Sequence, residues 1–112
     1  MSPNTLPVAV DAMGGDNAPL EIIKGAELAL EAGIPVMLVG QPEALSDVEG
    51  IPTKFASEVI GMGEDPATAV RKKKDSSLVR SAEAVRDGEA IAMVSAGNTG
   101  ATMASALLKI GR

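Results

Sequence analysis

The chain has 112 residues, 46% of them hydrophobic, a size that buries one core and leaves little room for a second independent domain. Its net charge of −5 has the wrong sign for holding a polyanion over a broad surface, and Phe55 is its one aromatic residue, so no nucleic acid partner is expected. With neither cysteine nor histidine, this segment excludes a disulfide framework, a Cys nucleophile, a Ser/His/Asp triad and most zinc sites.

Pro7 to Asp11 reads as a short buried strand. Asn17-Ala18-Pro19 then offers an N-cap followed by Pro in the first turn of a helix starting near Pro19. Ile23, Ala26 and Leu30 recur at helical spacing, Lys24, Glu27 and Glu31 fall on another face, and Gly33 is placed to end the helix. Val36 to Val39 is apolar throughout, as expected of a parallel strand covered on both faces. Gln41 to Glu49 has room for a short helix, Thr53 to Ala56 for a third strand, and Asp65-Pro66 for a cap and first turn. Ser76 is placed to cap a helix with Leu78, Val79, Ala82 and Val85 inside, which Gly88 ends before a buried strand over Ala90 to Ser95. A last helix follows from about Asn98, and the spacing of Ile23, Leu30, Met103, Leu107 and Ile110 assigns them to the core. Alternating strands and helices imply a three-layer α/β/α fold with a mostly parallel sheet. The apolar runs are strand-sized and no leader-like segment stands at the start, so a cytoplasmic protein without a membrane span is expected.

In such a sheet, ligands gather beyond the carboxyl ends of the strands. Two loops there are unusual. Asp11-Ala12-Met13-Gly14-Gly15-Asp16 sets paired glycines, which allow close backbone approach, between two carboxylates. Ser95-Ala96-Gly97-Asn98-Thr99-Gly100 joins a strand to a helix and offers backbone N–H groups and hydroxyls at a positive helix end, either as a phosphate cradle or simply as a tight turn. Asp11 and Asp16 alone do not define a magnesium site, and no metal or cofactor is expected. Arg71-Lys72-Lys73-Lys74, followed by Asp75-Ser76-Ser77, is the densest local charge, fitted either to an anion or to a solvated helix end. Ser57 and Ser95 have no neighbouring base in the sequence to activate them as nucleophiles.

Three segments carry a resemblance: Val10 to Pro19 (VDAMGGDNAP), Asp65 to Ser77 (DPATAVRKKKDSS) and Ser95 to Ala101 (SAGNTGA). In this order they resemble the bacterial phosphate acyltransferases of phospholipid synthesis. The resemblance implies a phosphotransacetylase-like fold and transfer of a fatty acyl group from acyl carrier protein to inorganic phosphate. It also implies a homodimer in peripheral contact with the membrane. Family members are considerably longer, so residues 1–112 are expected to form the amino-terminal part of a single catalytic domain, ending at Gly111-Arg112 in or just after a helix.

On that resemblance, Ser95, Gly97, Thr99 and Gly100 bind phosphate, with Asn98 and Thr99 as donors. Lys72, Lys73 and Ser76 assist, and Asn98, Lys74 and Asp16 are the catalytic candidates: Lys74 as the acid for the leaving thiolate, and Asp16 with Gly14 and Gly15 shaping the opposite wall. The basic run has a second possible use in steering the acidic carrier protein. The alternatives are a short-chain phosphotransacetylase using coenzyme A and a phosphate- or nucleotide-binding module without turnover.

Overall fold

A computed structural model describes residues 6–111. Four strands, β1 (Val8–Asp11), β2 (Val36–Gly40), β3 (Thr53–Phe55) and β4 (Ala92–Val94), pair in parallel in the order β3-β2-β1-β4. Parallel pairing requires crossovers. Helix α1 (Leu20–Glu31) joins β1 to β2, the single turn α2 (Pro42–Leu45) precedes β3, α3 (Pro66–Lys72) and α4 (Ser77–Arg86) precede β4, and α5 (Thr99–Lys109) follows it.

Side-chain alternation along the strands makes two cores. Val10, Val36 and Leu38 point toward α1, where they meet Ala26 and Ile23 together with Leu45 and Ile51. Ala9, Met37 and Val39 point the other way, toward Ala84 and Val85 of α4. Strand β2 is buried at all five positions because both faces are covered, as its unbroken apolar run requires. A third cluster, Ile60, Ala69, Val70, Leu78, Val79 and Ala101, joins α3, α4 and α5. The expected three-layer α/β arrangement is therefore present. Among the described residues, no helix is long and apolar enough to cross a membrane.

Local chemistry sets most boundaries. The Asp65 carboxylate accepts the N–H of Thr68, the Ser76 hydroxyl that of Val79 and the Asn98 amide oxygen that of Ala101, capping α3, α4 and α5. Gly33 and Gly88, at φ +88° and +77°, occupy the left-handed region just past α1 and α4. The first helix begins one residue later than expected, at Leu20, and no side chain caps it, so Asn17 lies in the turn before it.

Three further expectations fail. Strand β4 is shorter than Ala90 to Ser95 and forms a sheet edge, leaving Ala92 and Val94 exposed. Met103, Leu107 and Ile110 are 63%, 56% and 41% exposed, because α5 packs against α3 and α4 through the small residues Ala101, Ala104 and Ser105. Leu30 is 41% exposed at the solvent side of α1, whereas Ile23 is half-buried in the core. An apolar groove of about 410 Å³ lies beside α1, lined by Val8, Val10, Ile22, Ala29 and Val94 among others.

Candidate functional site

The chain order reverses direction at β1. Strands β2 and β3 build outward on one side of it and β4 on the other, so the carboxyl ends of β1 and β4 flank the switch point where ligands enter α/β sheets. Both unusual loops start there, 84 residues apart in sequence at Asp11 and Ser95, and the fold brings them into contact.

Asp11, 2% exposed, holds the junction. One carboxylate oxygen accepts the N–H of Met13 at 3.0 Å and the other accepts the Ser95 hydroxyl at 2.9 Å. Ser95 Oγ in turn accepts the Gly97 N–H at 3.0 Å. Gly14 lies directly over this chain of bonds: a Cβ there would stand 2.8 Å from Asp11 Oδ2, Ser95 Oγ and the Gly97 nitrogen alike. Gly15, at φ +101°, packs against Ala96 in a conformation that side chains disfavour. Paired glycines are thus required by contact between the loops as well as by turn geometry.

The backbone polarity of the joined turns is one-sided. Among the described residues, the N–H groups of Gly14, Gly15, Asp16 and Asn17 have no acceptor, and neither do those of Asn98, Thr99 and Gly100 at the start of α5. Donors without acceptors at a helix start favour an anion.

Asn98 is 6% exposed and its side chain is fully engaged. Its amide nitrogen donates to the carbonyls of Gly61, Met62 and Glu64 at 3.1, 3.3 and 2.9 Å, while its oxygen caps α5. The backbone N–H of Asn98 therefore points to a ligand role more than its amide does. Gly100 allows α5 to meet α3, since a Cβ there would lie 2.5 Å from Pro66. Thr99 and Asp16 are exposed, and Ser76 is fully buried as the cap of α4.

The basic run divides. Lys73 donates to the Val59 carbonyl at 2.8 Å and pairs with Glu64 at 2.7 Å, and the Lys73 ammonium together with the Gly61 N–H holds the Glu64 carboxyl below its usual range. Lys72 and Lys74 are exposed and enter no ion pair among the described residues. Next to them, the Ser57 hydroxyl and Arg80 hold the Asp75 carboxyl down at about 2. Residues 58–64, which carry no motif in the sequence, form the loop that ties the basic run to Asn98 through Glu64. That tie spans 34 residues and leaves no local signal. Among the described residues, no three His, Cys, Asp or Glu side chains gather as a metal-ligand set.

Comparison with known proteins agrees with the three sequence segments. The chain is 53% identical over 113 residues to the phosphate acyltransferase of Desulfitobacterium hafniense, covering 94% of this chain and 34% of that protein. It is 50% identical to the phosphate acyltransferase of Heliobacterium modesticaldum, again over 94% of this chain and 34% of the relative. The enzyme of that name from Leuconostoc mesenteroides is 50% identical over 94% of this chain and 32% of its own length. The chain thus spans about a third of the curated relatives it matches. The model of the family described as "Fatty acid synthesis protein" matches residues 6–112, and the chain belongs to that family.

Proposed function

We propose that this chain is the amino-terminal part of a single α/β catalytic domain that transfers a fatty acyl group from acyl carrier protein to inorganic phosphate, giving acyl-phosphate for phospholipid synthesis. The observation that carries this reading is the pair of joined turns at the switch point, with backbone N–H groups from Gly14 to Asn17 and from Asn98 to Gly100 that meet no acceptor among the described residues. The relatives' shared name supplies the chemistry.

Phosphate is a competent nucleophile at neutral pH, so catalysis rests on alignment and on stabilising charge at the carbonyl. A phosphate oxygen attacks the thioester carbonyl carbon, the tetrahedral oxyanion collapses, the carbon–sulfur bond breaks, and the carrier thiolate takes up a proton. In this reading the α5 turn binds phosphate through the N–H groups of Asn98, Thr99 and Gly100, and the Gly14-Gly15 turn with Asp16 forms the facing wall. Lys72 and Lys74 offset the accumulated negative charge, and Lys74 protonates the thiolate. Lys73, Ser76 and the Asn98 side chain hold the supporting loop and helix starts. The reaction belongs to the cytoplasm, and the homodimer and membrane contacts fall to the other two thirds of a protein of the relatives' length.

The test is thiol release from a fatty acyl carrier protein by the protein at its relatives' length, with and without phosphate, beside an acyl-coenzyme A arm. Phosphate-dependent release from the carrier protein supports the reading. Release confined to coenzyme A substrates, or independent of phosphate, contradicts it.

A further inference from the structure

We infer that Asp11 is a positioning residue for the phosphate-binding turns and acts through Ser95 rather than on a ligand; the inference rests on the phosphate reading above. A negative charge beside an anion site opposes binding, so a buried carboxylate there calls for a compensating role. The hydrogen bonds supply one. Through Met13 the carboxylate fixes the first turn, and through the Ser95 hydroxyl it fixes the Gly97 N–H of the second.

The direction of this relay is set by chemistry. A carboxylate accepts only, so the hydroxyl proton must point to Asp11, which leaves the oxygen's lone pairs for Gly97. Charge makes both bonds to Asp11 stronger than neutral ones. With Gly14 packed over the three atoms and Asp11 at 2% exposure, the carboxylate meets the protein rather than substrate. Its product is the orientation of Gly97, and with it the aim of the Asn98 and Thr99 N–H groups that follow. Ser95, too, then positions the turn instead of contacting phosphate.

Ser95→Ala leaves Asp11 and Gly97 without their shared partner, and Asp11→Asn puts a donor where Ser95 needs an acceptor. Each is tested in the protein at its relatives' length by titrating phosphate and the acyl carrier thioester separately. Both variants are expected to raise the phosphate KM about 10- to 100-fold with the thioester KM unchanged, as a small misplacement of binding groups does. Ser95→Thr, which keeps the hydroxyl, is expected to restore most of the affinity. Loss of kcat or of thermal stability at an unchanged phosphate KM overturns the inference. If Ser95→Ala does not fold, the near-isosteric Asp11→Asn decides; if neither folds while Ser95→Thr does, the couple is structural and the inference is overturned. Wild-type protein without phosphate-dependent release would instead sink the proposed function, which keeps the two failures distinct.

Discussion

Replacing Gly14 by alanine adds one methyl group at the most crowded point of the junction. Its carbon would stand 2.8 Å from a buried carboxylate oxygen, a hydroxyl oxygen and a backbone nitrogen, well inside contact distance for all three. None is the loose end of a flexible side chain, because Asp11, Ser95 and Gly97 are hydrogen-bonded to one another. The turn after β4 must therefore move. Overpacking of this kind costs about 1–3 kcal/mol, and each buried polar group that loses its partner adds about 1–3 kcal/mol. A total of about 3 kcal/mol is large against the roughly 5–15 kcal/mol that holds a typical domain folded. Chemical denaturation and a phosphate titration, run side by side on the protein at its relatives' length, check this. Gly25→Ala is the internal control: nothing lies within 4 Å of a Cβ there, and alanine within α1 is worth up to about 1 kcal/mol over glycine. A Gly14→Ala protein with wild-type stability and wild-type phosphate affinity would refute the account of the joined turns.

Other residues give sharper contrasts. Asn98→Asp keeps an N-cap as good as Asn but turns an acceptor on the three carbonyls of residues 61, 62 and 64, so denaturation is expected to show it destabilised by about 2 kcal/mol or more, comparable to Asn98→Ala. Lys72→Ala and Lys74→Ala are expected to raise the phosphate KM at unchanged melting temperature, whereas Lys73→Met is expected to lower the melting temperature by breaking the Glu64 and Val59 contacts. Asp75 is depressed from 3.8 to about 2, chiefly by the Ser57 hydroxyl and then by Arg80, so its contribution is complete above pH 4 and is lost as pH falls toward 2. Discounted for its exposure, that contribution is about 1 kcal/mol, and acid unfolding of Asp75→Asn against wild type measures it. The fully buried Ser105 hydroxyl has no partner among the described residues, so Ser105→Ala is expected to be neutral or to stabilise by about 1 kcal/mol in a denaturation series.

What the sequence makes legible here is what local bonds decide. Asp65 and Ser76 could be placed as caps because a cap acts over three residues, and Gly33 and Gly88 because they end helices. Strand β2 could be read from its unbroken apolar run because burial on both faces leaves that mark. The α5 face could not be read this way. Helical spacing groups Met103, Leu107 and Ile110 on one side, but close approach at Gly100 and Pro66 selects the small side for burial. The glycine turns stood out by composition, while their mutual contact through Asp11 and Ser95, 84 residues apart, depends on β1 and β4 being neighbours. The bond from Asn98 to residues 61–64 is likewise tertiary, which is why its amide looked available for a ligand.

The most direct test of the account is the product formed from a long-chain acyl carrier protein by the protein at its relatives' length. Phosphorus NMR is expected to show acyl-phosphate appearing in step with free carrier thiol, saturating with phosphate in the wild type and demanding far more phosphate in Ser95→Ala. Thiol release that proceeds at the same rate without phosphate, or that yields free fatty acid in place of acyl-phosphate, would contradict it.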